Sequence, residues 1–115
     1  MASIQQQIYV CSIDEIQAAG CLEFEIPQLS ESGQVFLVLN NDRIYAFVNR
    51  CPHTGITLNW QPNQFFDITN QLIQCATHCA LFRIEDGLCV RGPCVGDKLQ
   101  QLNIRLTDDQ IYLLY

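Results

Sequence analysis

The chain has 115 residues, 49% hydrophobic and 16% charged, which suits one globular domain spanning 1–115 around a single core. No apolar run approaches the ~20 residues of a membrane-crossing helix, and the opening "MASIQQQIYV" lacks a basic or apolar leader, so a cytoplasmic protein without a membrane partner is expected. Twelve acidic against six basic residues give a formal charge of −6, which repels phosphate backbones and anionic lipid and points instead to a basic protein partner.

Short β-type runs dominate the chain: "IYVCS" at 8–12, "CLEFEI" at 21–26, "QVFLVLN" at 34–40 and "RIYAFVN" at 43–49. They continue as "ITNQLIQC" at 68–75, "ALFRI" at 80–84, "LCV" at 88–90, "LQQLNIRL" at 99–106 and "IYLLY" at 111–115. The fold is therefore expected to be mainly β. Asn40-Asn41-Asp42 tolerates positive φ and predicts a hairpin, and turns follow at 85–87 and 107–110. One short helix is predicted within "SIDEIQAAG" at 12–20, with Ser12 as N-cap, Glu15 completing a capping box and Gly20 as the stop. Residues 50–66 contain two of the four prolines and little alternation, and so predict a long ordered loop, a feature usually tied to function.

Seven cysteines, an odd count with no export signal, argue against a full set of structural disulfides and for metal ligation or buried thiols. Cys51 and His53 in "NRCPHTGITL" form a C-x-H pair; after 21 intervening residues, Cys75 and His78 in "QCATHCALF" form a C-x-x-H pair. These are the only histidines of the chain, and each stands within three residues of a cysteine. Two pairs on turns leaving strands can converge on one point, and two thiolates with two imidazoles suit zinc or an iron–sulfur cluster. A cysteine nucleophile with a histidine base would leave one pair unexplained. Unrelated core cysteines and surface histidines would leave both unexplained, and the spacing is not that of a zinc finger.

"CPHTG", then "CATHCALF", then "EDGLCVRGPC" resembles the Rieske [2Fe–2S] proteins over about 50–99. The resemblance implies an antiparallel β-sandwich with a small cluster-binding subdomain, about 49–96, and one [2Fe–2S] cluster per chain. It also implies that Cys51 and Cys75 ligate one iron, while His53 and His78 ligate the other. Two ferric ions, two sulfides and two thiolates sum to zero charge, whereas four thiolates would start two charges lower, so an electron is accepted more easily here.

Two cysteines and two pairs of positions depart from the family's pattern or qualify it. Cys79 stands where the second loop commonly has glycine, and Cys94, on what resembles the proline loop, could in principle reach it, although free thiols are expected. Cys11, Cys21 and Cys89 read as small buried apolar groups, and Trp60, Phe65 and Phe66 as core or loop-anchoring aromatics. Membrane-complex members join their loops by a disulfide; here Ile56 and Thr77 occupy those positions, which implies a soluble ferredoxin. High-potential members carry a serine and a tyrosine donating to the cluster where this chain has Ala80 and Phe82, so a low potential is expected.

The resemblance implies a one-electron carrier, not itself an enzyme and monomeric when free, passing electrons from an NAD(P)H-dependent flavin reductase to a terminal oxygenase or similar enzyme. The alternative is a fixed redox subunit of a larger reductase complex, such as the small subunit of nitrite reductase. Docking is expected at an apolar tip including Ile56, Leu58 and Leu81, with Arg50 and Arg91 beside it.

Overall fold

The computed structural model describes residues 6–29, 33–52, 57–59, 63–75 and 80–115. Nine strands and one helix run in the order β1 (Gln7–Ser12), α1 (Ile13–Ala19), β2 (Cys21–Glu25), β3 (Gln34–Asn40), β4 (Arg43–Val48), β5 (Leu72–Gln74), β6 (Leu81–Arg83), β7 (Cys89–Arg91), β8 (Gln101–Thr107) and β9 (Gln110–Leu114) among the described residues. A six-stranded antiparallel sheet has the order β1-β9-β8-β4-β3-β2, and a three-stranded one has β5-β6-β7. The mainly β, antiparallel expectation is met.

Local chemistry explains the punctuation. Asn41 (φ 51°) and Asp42 (φ 64°) turn β3 into β4, and Asp108 (φ 53°) and Asp109 (φ 61°) turn β8 into β9, both with the paired positive φ of a two-residue hairpin. The Ser12 hydroxyl accepts from the Glu15 N–H at 3.3 Å, and Gly20 ends α1 at φ 82° with its N–H donating to the Ile16 carbonyl at 2.8 Å.

The sequence predicts a single core; the described residues form two. Val35, Leu37 and Ala46 bury against Cys11, Ile16, Ile111 and Leu113, while Phe36, Val38 and Phe47 bury against Phe65, Ile73, Phe82, Ile84 and Cys89. The cause is the two-residue alternation of a strand covered on both sides. β8 joins the halves of the larger sheet, pairing through Gln101 and Leu102 with β4 and through Asn103 to Thr107 with β9. The sheet thus folds over one core and presents the other to the three-stranded sheet. That second core carries the cysteines of the candidate site.

The predicted strand at 68–75 shortens to Leu72–Gln74. The Asp67 carboxylate accepts from the Thr69 hydroxyl at 2.7 Å and the Leu72 N–H at 3.2 Å, and Asn70 takes φ 60°, so a side-chain-stabilised turn replaces the first half.

Candidate metal centre

Cys51 lies three residues beyond the end of β4 and Cys75 directly beyond the end of β5. Both are fully buried in the same core cluster, with Leu58, Ala80, Cys89 and Cys94 around them. His53 and His78 lie outside the described residues, as do Ile56, Trp60, Thr77 and Cys79. The structure therefore brings together the two predicted thiolate positions, one from each loop. Burial of two cysteines from separate strands in one core cluster fits the cysteine half of a mixed sulfur and nitrogen ligand set.

Each loop is tied at its base. The Asn49 N–H donates to the Gln34 carbonyl at 2.9 Å, which fixes the chain leaving β4. The Asn49 carboxamide is 2% exposed and closes the first loop: its Oδ1 accepts from the Leu58 N–H at 2.8 Å, and its Nδ2 donates to Asn59 Oδ1 at 2.9 Å. Asn59 Nδ2 in turn donates to Glu23 Oε2 at 3.2 Å, and Glu23 Oε1 accepts from the Asn63 N–H at 3.0 Å. Asn63 Oδ1 accepts from the Glu23 N–H at 2.8 Å. A chain of side-chain amides thus pins both ends of the long loop to edge strand β2. At the second loop the Cys75 N–H donates to the Ala80 carbonyl at 2.9 Å.

A third segment, after β7, packs on Ala80, the residue that follows the second loop. Gly92 has φ 102°, and a Cβ there would stand 2.8 Å from the Ala80 Cα, so only glycine allows this approach. Phe65 stacks on Phe36 with centroids 4.1 Å apart and rings within 4° of parallel, docking the long loop on the larger sheet.

The expected tip must be corrected at Leu58: it is fully buried in the core, because its N–H is held by Asn49 on the inner side of the loop. Leu81 is half-buried, whereas Arg50 and Arg91 are exposed as expected. The exposed apolar residues beside them are Val90 and Val95. Sequence reasoning did not find Asn49, Asn59 or Glu23. An asparagine two residues before a predicted ligand cysteine is a local signal for a loop clamp; Glu23 has none, being 36 residues from its partner Asn59.

Burial governs the remaining thiols. It pushes Cys11 up to about 11 and raises Cys21. Cys94 is pushed up to about 12, first by burial and then by its hydrogen bond with Cys89 and the nearby Cys51. At neutral pH Cys94 remains a thiol. Ala80 and Phe82 are fully buried and carry no hydroxyl.

The chain is 29% identical over 121 aligned positions to the menaquinol:cytochrome c reductase iron-sulfur subunit of Bacillus subtilis (strain 168), an alignment covering 95% of this chain and 67% of that one. Its fold is similar to the ferredoxin of carbazole 1,9a-dioxygenase from Nocardioides aromaticivorans IC177, at a TM-score of 0.71 and 21% identity over 93% of this chain and 95% of that one. It is also similar to a chain in the reduced complex between oxygenase and ferredoxin in carbazole 1,9a-dioxygenase, at a TM-score of 0.76 and 18% identity, although it spans 27% of that chain's length. Among the described residues no helix is long and apolar enough to cross a membrane. The family model for the Rieske [2Fe-2S] domain matches residues 6–105; the chain belongs to this family, is an electron-transfer module and binds one [2Fe–2S] cluster.

Proposed function

We propose that the whole chain is one Rieske domain, with residues 49–96 as its cluster-binding part, and that Cys51, His53, Cys75 and His78 hold the cluster. The supporting observation is the burial of Cys51 and Cys75 in one core cluster at the ends of two loops. When bound, the cluster supplies a single site that takes up and gives back one electron. The protein's own residues set the conditions for that exchange. Asn49 and the Cys75-to-Ala80 hydrogen bond fix the loop bases, so the ligands need little rearrangement between redox states. The second core excludes water from the cysteine side, and the exposed Arg50, Arg91, Val90 and Val95, near the two loops in sequence, offer side chains on which a partner can dock.

The partners proposed are an NAD(P)H-dependent flavin reductase as donor and a terminal oxygenase or similar enzyme as acceptor, with this chain a cytoplasmic, monomeric carrier having no substrate chemistry of its own. Ala80 and Phe82 support this reading, since neither can donate to a cluster sulfur. A charge-assisted donor is worth about 1.5–3 kcal/mol, or at most ~65–130 mV for one electron. Without two such donors the potential falls near the ~−150 mV end of the Rieske range, within reach of electrons from NAD(P)H.

A second reading is a fixed subunit of a larger complex, either a reductase of the nitrite type or one like that of the Bacillus relative, whose name describes a menaquinol:cytochrome c reductase. Protein-film voltammetry separates it from the carrier. The carrier reading requires a potential well below zero, raised by the combined Ala80→Ser and Phe82→Tyr substitutions. A wild-type potential above zero would replace that reading with quinol oxidation.

A further inference from the structure

Two buried thiols share a core cluster with the proposed ligand cysteines without belonging to the ligand set. Cys89 opens β7, and the chain beyond it returns so that Cys94 comes back against it. The backbone fixes this return: the Cys89 N–H donates to the Asp97 carbonyl at 2.8 Å, the Gly96 N–H to the Cys89 carbonyl at 3.2 Å, and the Asp97 N–H to the Cys94 carbonyl at 2.9 Å. The Cys94 Sγ lies 3.1 Å from the Cys89 Sγ, roughly 1 Å beyond the ~2.05 Å of a disulfide bond. The Cys89 Sγ also stands 3.2 Å from the Arg91 carbonyl, which holds it inside the turn. Neither is joined in a disulfide in the structure.

The pair is shielded but shallow. Cys89 is 1% and Cys94 3% exposed, while Gly92, Pro93, Val95 and Gly96 on the covering loop are all exposed. Bulky disulfide reagents are kept out, and a small oxidant has only one layer of loop to pass. The sequence reading weighed only a contact of Cys94 with Cys79, which lies outside the described residues.

We propose that Cys89 and Cys94 form a second redox site, a dithiol that a hydroperoxide closes to a disulfide. One sulfur attacks a peroxide oxygen and the O–O bond breaks, giving a sulfenic acid, while the released hydroxide takes that sulfur's proton and leaves as the first water. The other sulfur displaces the sulfenic hydroxyl, which takes the remaining thiol proton and leaves as a second water. Each sulfur loses one electron and the peroxide accepts both. The closed bond staples the loop carrying Gly92 to β7. Since Gly92 rests on Ala80, whose carbonyl accepts from the Cys75 N–H, the disulfide stiffens the segment packed on Ala80.

The covalent link can be read independently of which residues hold the cluster. Cluster-loaded protein is treated anaerobically with equimolar hydrogen peroxide, its remaining thiols are alkylated under denaturing conditions, and trypsin is applied without reductant. Cleavage after Arg83, Arg91 and Lys98 places one cysteine in each of the peptides 84–91 and 92–98. The expected product is these two peptides joined, with the loss of two hydrogens, while untreated protein gives both alkylated. Cys89→Ser and Cys94→Ser should each abolish the joined species. Two alkylated peptides persisting after peroxide has bleached the visible absorption would overturn the proposal. So would a link from 92–98 to the peptide 51–83, which contains Cys79.

Discussion

The strands of the larger sheet run five to seven residues, whereas β5, β6 and β7 have three each. Strands of the first kind stabilise themselves through long ladders and a core on each face of β3 and β4. A three-stranded sheet of three-residue strands has too few ladder bonds and too little apolar surface to be stable alone. It persists through what is attached to it: the Phe36–Phe65 stack, the Asn49 clamp, the Gly92 contact with Ala80, and the cluster. On the proposed ligand assignment, the region that transfers electrons is the region whose order depends on its cofactor and a few side chains, while the larger sheet serves as a rigid base.

Removing the cluster should break this comparison most visibly. Cys75→Ser, which removes a proposed ligand, is expected to abolish cluster binding and to strip hydrogen-exchange protection from β5, β6 and β7 while β3 and β4 stay protected, since metal binding and folding are coupled in the smaller region. Uniform loss of protection across both sheets would show that the larger one does not stand alone.

Next in size is the aromatic stack. Phe65→Ala should lower stability by ~3–5 kcal/mol in denaturant titration, because it opens a cavity against Phe36 where the two regions meet. The same substitution should loosen the cluster, read as faster loss of visible absorption in the presence of a chelator.

The clamp should matter less. Asn49→Ala leaves the Leu58 N–H without its acceptor in a buried setting, at a cost of about 1–3 kcal/mol. The loss should be confined to the first loop and appear as faster cluster release with little change in the larger sheet.

These side chains differ in how far they could be read from sequence. The unbroken apolar run "QVFLVLN" marked β3 as a strand, and its lack of alternation reflects two covered faces, although the single core expected of a chain this size became two. The hairpin at Asn41 and Asp42 and both caps of α1 were legible because their causes lie within four residues. Leu58 was misplaced at an exposed tip because the acceptor that turns it inward, Asn49, lies nine residues away. The Cys89–Cys94 contact was likewise invisible, since it depends on how β7 and the following turn are registered. Thiol and imidazole spacing announced the chemistry of the site, and long-range amide contacts, which leave no pattern, position it.

The smallest effect belongs to an exposed pair in the turn joining β6 to β7. The Arg83 guanidinium and the Leu88 N–H, both bonded to Asp86, hold its carboxyl at about 2, below the ordinary ~3.9. A depressed carboxylate contributes stability that is complete above pH ~4 and is lost as the pH falls from there through about 2. Because the pair is solvent-exposed, Asp86→Asn should cost less than ~1 kcal/mol at neutral pH, and the difference from wild type should vanish near pH 2. Denaturant midpoints at the two pH values check this.

The central claim, that one iron is held by His53 and His78 and the other by Cys51 and Cys75, is tested most directly by pulsed EPR on reduced protein carrying ¹⁵N-labelled histidine. The account predicts two histidine nitrogens strongly coupled to the reduced cluster, with one coupling lost in His53→Cys or in His78→Cys wherever the variant retains a cluster. A reduced wild-type cluster with no strongly coupled histidine nitrogen would contradict it.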